Sequence, residues 1–325
     1  MTSDHQTMSG KLKALARQNK ILRSLGMSVG APLGVRLAAK RQGLHASLSG
    51  GLIEIRRGKD VLRMARHHIL YVFDVINSFD YYFDAVRPAR VGGMNIVDYS
   101  RPSYHEVLGY DLIPVFFPSF SEPFITTQQY LDFAQLSPGQ VAIDLGAYSG
   151  LSAIAFKDKV GSAGTVLAVE ADQQNLAAVE RNLALYKTVS GESVELLFGA
   201  VWRDNHGLSF STEGNMGSSA ASIVGSGRGE TLTVPSFTLS AIADRYNLPS
   251  VDFIKADIEG GEAFIFEDRD FFARYSPRIV VEPHLVDGRM STEKVTRDLE
   301  AFGYRCETVP QLGSEIPLLV CTPSR

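Results

Sequence analysis

The sequence predicts an α/β fold in which a mixed, mostly parallel sheet carries helices on both faces. Short apolar runs alternate with helical segments through the second half of the chain, and a glycine-containing turn follows the first of these runs. Such alternation is typical of parallel sheets. Two closing apolar runs with a short connection predict one antiparallel edge.

The predicted elements begin directly after Pro138-Gly139, a turn signal. The predicted strands are 141–145, 165–170, 193–198, 251–257 and 278–282, followed by a hairpin of 304–309 and 316–321. The predicted helices are 152–159, 173–186, 236–247 and 292–302. Together these elements predict a seven-stranded mixed sheet.

The chain is predicted to have two parts that meet at residue 120. Residues 1–120 form an N-terminal accessory region, which we expect to be mostly helical or irregular because it is rich in glycine and proline. Residues 121–325 form the α/β domain. Within it, residues 203–230 contain six glycines and six serines, a composition that predicts a flexible lid over a site.

The accessory region carries a concentration of positive charge. Residues 10–25 have the spacing of a basic amphipathic helix, and residues 1–66 have a net charge of +10 in a chain of net charge −4. The favoured interpretation is a solvated helical face that packs on the acidic remainder. Peripheral contact with an anionic membrane and contact with a nucleic acid are the alternatives.

Composition restricts the location that we expect. No stretch approaches the ~20 apolar residues of a membrane-spanning helix, and no signal-peptide cleavage site is recognisable near the N-terminus. Cys306 and Cys321 are the two cysteines, so no disulfide framework is implied. A reducing cytoplasm is therefore the expected location, with peripheral membrane attachment as an alternative.

The turn after the first strand indicates a cofactor. Asp144 ends that strand, and Gly146 and Gly150 follow with three residues between them. A dinucleotide loop would have Gly-x-Gly-x-x-Gly, and Tyr148 stands where its middle glycine would be. An acid at position 144 would repel a pyrophosphate and suits the cationic amino-acid end of S-adenosylmethionine.

Other strand ends extend this predicted binding site. Glu170 ends the second strand, where a carboxylate can accept both ribose hydroxyls, and the segment after the third strand would border the adenine ring. The alternative makes Asp144 a helix cap and Glu170 a surface acid. The predicted cofactor-binding residues are Asp144, Gly146, Ala147, Tyr148, Gly150, Glu170, Ala171, Ala200, Val201 and Asp257.

Together with a later motif, these residues resemble the FkbM family of S-adenosylmethionine-dependent methyltransferases. The later motif runs from Val251 to Glu262 and contains Lys-x-Asp-x-Glu-Gly-x-Glu, and the segment 277–284 is similar to the family's fifth strand. The resemblance covers about residues 137–285, although Tyr148 replaces a common asparagine. It implies a Rossmann-like class I methyltransferase fold and methyl transfer to a hydroxyl of a sugar, glycolipid or natural product.

Candidate catalytic residues lie at the ends of the fourth and fifth strands, and they are Asp257, Glu259, Glu282 and His284. An alcohol must lose its proton during methylation, and His284 is the expected acceptor because its ordinary pKa is near neutrality. We expect no metal, although the same four side chains offer ligands suited to Mg²⁺ or Mn²⁺. Glu262 is interpreted as a structural helix residue. Lys255 is expected to point away from the site or to pair with an acid.

Two alternatives to O-methylation remain open. One is methylation of nitrogen, and the other is a non-catalytic binding module that keeps the fold. Methylation of a nucleic acid is not expected, because no Asn/Asp-Pro-Pro-Tyr/Phe run follows the fourth strand. The expected acceptor is a small molecule or glycan, and homo-oligomers are not excluded.

Overall fold

The computed structural model describes residues 31–121, 123–212, 219–220, 230–312, 314 and 316–324. The chain divides into two compact units, one reaching Phe83 and including Pro88–Arg101, the other formed by Asp84–Arg87 and the chain from Pro102 onward. The predicted basic helix at 10–25 lies outside the described residues. The sequence placed the division later, at residue 120.

The first unit contains a sheet where mostly helical or irregular structure was expected, so that prediction was wrong. Its strands are β1 (His45–Ser49), β2 (Leu52–Arg57), β3 (Asp60–Ala65), β4 (Ala89–Val91) and β5 (Met94–Tyr99). Among the described residues, they form one sheet with the strand order β1-β2-β3-β5-β4. Its helices are α1 (Ala31–Arg41), a 3₁₀ helix (Arg66–Tyr71), α2 (Val72–Asn77) and α3 (Phe79–Ala85), whose last residues belong to the second unit.

Two glycine pairs explain this correction. Gly50-Gly51 joins β1 to β2, Gly92-Gly93 joins β4 to β5, and all four glycines have positive φ. Two-residue hairpin turns favour this conformation, which glycine adopts without steric cost. The glycines that suggested irregular loops therefore mark tight hairpins.

The second unit confirms the predicted mixed sheet. Its strands are β8 (Val141–Leu145), β9 (Thr165–Glu170), β10 (Glu195–Phe198), β16 (Phe253–Ala256), β17 (Arg278–Val281), β20 (Tyr304–Val309) and β21 (Leu318–Pro323). Within the described part of the chain, these seven strands pair in the order β10-β9-β8-β16-β17-β21-β20. The first five are parallel, and β21 and β20 form the antiparallel edge.

Helices cover both faces of this sheet, because its central strands consist mostly of apolar residues that must be buried. Ile143, Leu167, Ile254 and Ile279 are fully buried and belong to one apolar core. The helices are α4 (Phe124–Ala134), α5 (Leu151–Val160), α6 (Gln173–Ser190), α7 (Leu239–Arg245), α8 (Glu262–Ile265), α9 (Arg269–Phe272) and α10 (Thr292–Glu300). Each of the four helices predicted within residues 121–325 is present, with ends shifted by a few residues.

Short strands complete the second unit. A hairpin of β6 (Ser103–His105) and β7 (Val115–Phe117) joins this unit rather than the first, since the side chain of Asn182 on α6 bonds both backbone polar groups of Phe116. The remaining strands are β11 (Ala200–Val201), β12 (Leu208–Thr212), β13 (Ser219–Ala220), β14 (Glu230–Val234), β15 (Ser236–Phe237), β18 (Leu285–Val286) and β19 (Arg289–Met290).

The predicted lid is partly described. β12 pairs with β13 and β14 in a small antiparallel sheet, so strand structure occupies part of the segment 203–230. Residues 213–218 and 221–229 of that segment lie outside the described residues. The prediction of a flexible lid therefore stays a prediction.

Cys306 and Cys321 form a disulfide bond, which the presence of only two cysteines did not imply. They stand directly opposite each other on β20 and β21, with Cα atoms 4.2 Å apart. Such a cross-strand position brings two cysteines within bonding reach. The sequence predicted the hairpin, but the register that makes these two residues partners was not assigned.

No helix among the described residues is long and apolar enough to cross a membrane.

Candidate cofactor and acceptor site

A cavity opens at the carboxyl ends of the parallel strands. Open α/β sheets bind ligands at this edge. The lining residues are Gly146, Tyr148, Val169, Glu170, Ala171, Asn175, Gly199, Ala200, Val201, Trp202, Leu208, Phe210, Asp257, Ile258, Glu259 and Gly261. Among these residues three are acidic and none is Lys or Arg, which suits a cationic ligand better than a phosphate.

The turn between β8 and α5 has glycine at two positions where the backbone adopts positive φ angles. Gly146 has φ +79°, and a Cβ atom there would overlap the backbone carbonyl oxygen of Asp257, so glycine is required. Gly150, also at φ +79°, begins α5. Tyr148 has φ +52°, and its hydroxyl donates a hydrogen bond to the carbonyl oxygen of Phe120. The phenol therefore anchors the turn where asparagine was expected.

Glu170 lies at the end of β9 as predicted, with its carboxylate held by the backbone. Its Oε2 accepts from Tyr148 N at 2.8 Å, and its Oε1 accepts from Ala171 N at 2.9 Å and Asp172 N at 2.8 Å. Burial raises the pKa of Glu170 to about 7, and nearby Asp172 adds to the rise, while the three N–H donors oppose it. Each oxygen keeps lone pairs for further donors.

Asp144 is fully buried and is not among the residues that line the cavity. Its Oδ2 accepts from the Ser152 hydroxyl at 2.5 Å, and Lys255 Nζ lies 3.2 Å from its Oδ1. The ammonium donates its hydrogen bond to Gly146 O at 2.7 Å. The Asp144–Lys255 pair thus supports the glycine turn from beneath, and Lys255 pairs with an acid, one of its two predicted alternatives.

The other predicted cofactor residues divide into two groups. Ala171, Ala200, Val201 and Asp257 line the cavity, whereas Ala147 and Gly150 do not. Sequence reasoning placed the segment 199–202, which includes Trp202, beside the adenine ring, but it gave no cofactor role to Leu208, Phe210 or Asn175. Leu208 and Phe210 belong to the segment 203–230, which was interpreted only by its glycine and serine content. No sequence signal distinguished Asn175.

The four predicted catalytic residues lie near one another at the ends of β16 and β17. His284 Nε2 is 3.7 Å from Asp257 Oδ1 and 3.7 Å from Glu259 Oε1. The ligand atoms of Asp257, Glu259 and His284 lie within 4.8 Å of one another. Glu282 stands apart from this group, because its Oε2 accepts from Tyr130 Oη at 3.2 Å and Gln311 Nε2 at 3.0 Å. We call Asp257, Glu259, Glu282 and His284 the strand-end cluster.

Glu262 holds His284 from behind. This carboxylate is fully buried, and its Oε1 accepts from Ser291 Oγ at 2.8 Å and from His284 N at 2.9 Å. His284 Nδ1 lies 3.3 Å from the same oxygen. Gly260 N donates to Oε2 at 2.9 Å. Glu262 is therefore structural, as expected, and it orients the imidazole so that Nε2 faces the two carboxylates.

Electrostatics in the strand-end cluster alter the role expected for His284. Burial lowers its pKa, but Glu259, Glu262 and Asp257 outweigh burial and hold the pKa well above the ordinary value. Burial raises the pKa of Glu259 to about 8, and Asp257 and the other acids add to the rise. These neighbouring acids favour the protonated imidazole over the neutral form that accepts a proton, and Asp257 and Glu259 are the cluster members that line the cavity.

Comparison with known proteins identifies the family. The domain model for the FkbM methyltransferase domain matches residues 144–306, half of the chain. The chain belongs to the FkbM methyltransferase family. It is an S-adenosylmethionine-dependent methyltransferase with the Rossmann-like fold of class I enzymes, as the sequence predicted. No curated protein matches the chain.

Solved structures with a similar arrangement are distant in sequence. Methyltransferase FkbM from Methylobacillus flagellatus KT is 13% identical with a TM-score of 0.42, and the match covers 89% of this chain and 58% of that one. Precorrin-6y C5,15-methyltransferase from Geobacter metallireducens is 17% identical with a TM-score of 0.38, covering 60% and 85%. Aeropyrum pernix fibrillarin, solved with natively bound S-adenosyl-L-methionine, is 12% identical with a TM-score of 0.37, covering 61% and 73%.

Proposed function

We propose that this FkbM-family protein methylates a hydroxyl group of a small hydroxylated molecule, such as a sugar, a glycolipid or another natural product. One observation carries the proposal. The strand-end cluster borders the cofactor cavity, and Asp257 and Glu259 belong to both. An alcohol needs a hydrogen-bond acceptor for its proton at the moment of transfer, and carboxylates at the cavity edge offer one.

The residues of the cavity fit S-adenosylmethionine. Glu170 presents acceptor oxygens suited to the two ribose hydroxyls, while Trp202, Leu208 and Phe210 form an apolar wall suited to the adenine ring. The absence of Lys and Arg among the described lining residues favours a cationic cofactor over a phosphate-bearing one. When bound, the cofactor supplies a methyl group that its sulfonium already activates.

The chain's own task is then alignment and proton removal. In such a transfer the acceptor oxygen would bond to the methyl carbon as the S–CH₃ bond breaks and sulfur keeps the electron pair. The strand-end cluster would accept the hydroxyl proton and pass it to water. Alignment of the acceptor and the methyl group in the cavity lowers the barrier by removing the entropic cost of encounter. Asp257 and Glu259 orient the hydroxyl because they are the cluster members that line the cavity.

The test is a screen of hydroxylated and amine acceptors with the purified full-length protein and methyl-labelled cofactor. We expect label in products whose new methyl group resides on oxygen, as mass spectrometry and NMR of the product would show. Asp257→Asn should reduce turnover by roughly 100-fold, the scale of losing general-base assistance. Label found only on nitrogen, or full activity in Asp257→Asn, would contradict the proposal.

A further inference from the structure

The partly exposed carboxylates of Asp257 and Glu259 lack the hydrogen-bond donors that the buried acids Glu170 and Glu262 have. In the part of the chain that the structure describes, their side chains have ion-pair neighbours but accept no hydrogen bond. By contrast, Glu170 accepts three backbone N–H bonds and Glu262 is held by Ser291 and two backbone N–H groups. The negative charges of these two acids at the edge of the cavity are therefore poorly compensated by hydrogen-bond donors.

The distances that separate His284 from Asp257 and Glu259 are too long for hydrogen bonds. His284 Nε2 lies 3.7 Å from one oxygen of each carboxylate, beyond the ~2.7–3.2 Å of a hydrogen bond to nitrogen. Around an ion with ligand distances of ~2.1 Å, adjacent ligands lie ~3 Å apart and opposite ligands ~4.2 Å apart. All the ligand atoms here are within 4.8 Å of one another, so small side-chain movements bring them into one coordination shell.

Two contacts outside the group prepare it for an ion. The buried carboxylate of Glu262 lies at Nδ1 of His284, which directs Nε2 toward Asp257 and Glu259. Histidine ligands of metals commonly have such a carboxylate at the other ring nitrogen. Lys255 approaches Oδ2 of Asp257 at 3.7 Å, so the opposite oxygen, Oδ1, remains the one facing the group.

We propose that Asp257, Glu259 and His284 bind one divalent cation, of the Mg²⁺ or Mn²⁺ type, at the edge of the cofactor cavity. Two carboxylate oxygens and one imidazole nitrogen are a donor set that Mn²⁺ and Mg²⁺ accept, with remaining positions for water or substrate oxygen. The sequence offered four ligands, but the hydrogen bonds of Glu282 to Tyr130 and Gln311 remove it from the set.

The position of the ion suggests its use in methyl transfer. Asp257 and Glu259 line the cavity, so an ion bound to them would be within reach of the acceptor and would lower the pKa of a hydroxyl that coordinates it. This use rests on the proposed O-methylation. Ion binding itself rests only on the three residues.

Titration with Mn²⁺ tests the site without knowledge of the acceptor. Chelator-treated full-length protein is titrated with Mn²⁺, and the electron paramagnetic resonance signal of free Mn²⁺ reports the bound fraction. We expect one ion per chain, competition by Mg²⁺, and affinity at least tenfold weaker in Asp257→Asn and in Glu259→Gln, as expected for loss of one charged ligand. Glu267→Gln, an exposed carboxylate paired with Lys294, is the matched control and should bind Mn²⁺ as the wild type does.

Calorimetric titration of the same preparations with S-adenosylmethionine separates the two proposals. Glu259→Gln should lose Mn²⁺ and keep the cofactor, whereas Glu170→Gln should lose cofactor affinity and keep Mn²⁺. The ligand that each variant keeps shows that it is folded: S-adenosylmethionine for Glu259→Gln and Mn²⁺ for Glu170→Gln. Absence of Mn²⁺ binding in the wild type, or equal Mn²⁺ binding in Glu259→Gln, would overturn the ion site and leave O-methylation standing. Nitrogen-only products would instead overturn O-methylation and leave the ion site.

Discussion

Two acids of the same cavity, Glu170 and Glu259, stand in opposite environments. Glu170 accepts three backbone N–H bonds from the turns around it, whereas Glu259 has His284 as its ion-pair neighbour and accepts no hydrogen bond within the described residues. A carboxylate held by amides is ready to receive neutral hydroxyls. A carboxylate facing other acids requires a positive partner. The end of the cavity at Glu170 is therefore suited to binding the cofactor, and the end at Glu259 is suited to the methyl-transfer reaction.

Gly146→Ala should disturb both ends at once and have the largest effect on stability. The new Cβ would overlap the carbonyl oxygen of Asp257, so the ends of β8 and β16 would have to move apart. In addition, alanine would be strained at the φ of +79° that Gly146 adopts. We expect the free energy of unfolding to fall by about 3 kcal/mol, combining overpacking with backbone strain. Chemical denaturation measures this loss.

The matched control for that variant is Gly139→Ala. Gly139 has φ +87°, but a Cβ there meets nothing within 4 Å. It should lose only about 1 kcal/mol, the cost of strain alone. Equal losses of unfolding free energy in the two variants would show that the close contact between Gly146 and Asp257 does not contribute to stability.

Glu262→Gln should destabilise the strand-end cluster without touching the cofactor end. The buried carboxylate accepts from Gly260 N, His284 N and Ser291 Oγ, and an amide would turn a donor toward them. We expect a loss of about 2 kcal/mol in unfolding free energy, the cost of one unsatisfied buried group. Cofactor affinity by calorimetry should change by less than about twofold. A large loss of affinity would mean that the two ends are coupled.

The cofactor end should respond to pH through Glu170. Its pKa is raised to about 7, and its charged form is the better acceptor for ribose hydroxyls, so affinity should fall as the pH is lowered through that value. Between pH 8 and 6 the dissociation constant should rise about tenfold, since one pKa unit corresponds to ~1.4 kcal/mol. Glu170→Gln removes this titration and reveals that of the cofactor itself. Identical pH profiles would exclude Glu170 as the titrating group.

The sequence predicted the backbone of this site better than its side-chain contacts. Strand ends and glycine spacing depend on local patterns, so the positions of Gly146, Glu170 and Asp257 followed directly. The burial of Asp144 beneath the turn depends on Lys255 and Ser152 and could not be derived from position. The disulfide required strand register, and the first unit's sheet required recognition of Gly-Gly pairs as hairpin turns.

The central claim is that the cavity bordered by Glu170 binds S-adenosylmethionine. The most direct measurement is calorimetric titration of the wild type and Glu170→Ala with S-adenosylmethionine and, separately, with NAD⁺. We predict that the wild type binds S-adenosylmethionine and not NAD⁺. Glu170→Ala should bind the methyl donor about 10- to 100-fold more weakly, the cost of one or two hydrogen bonds to a charged group. A wild type that binds NAD⁺ in preference, or a variant with unchanged affinity for S-adenosylmethionine, would contradict this account.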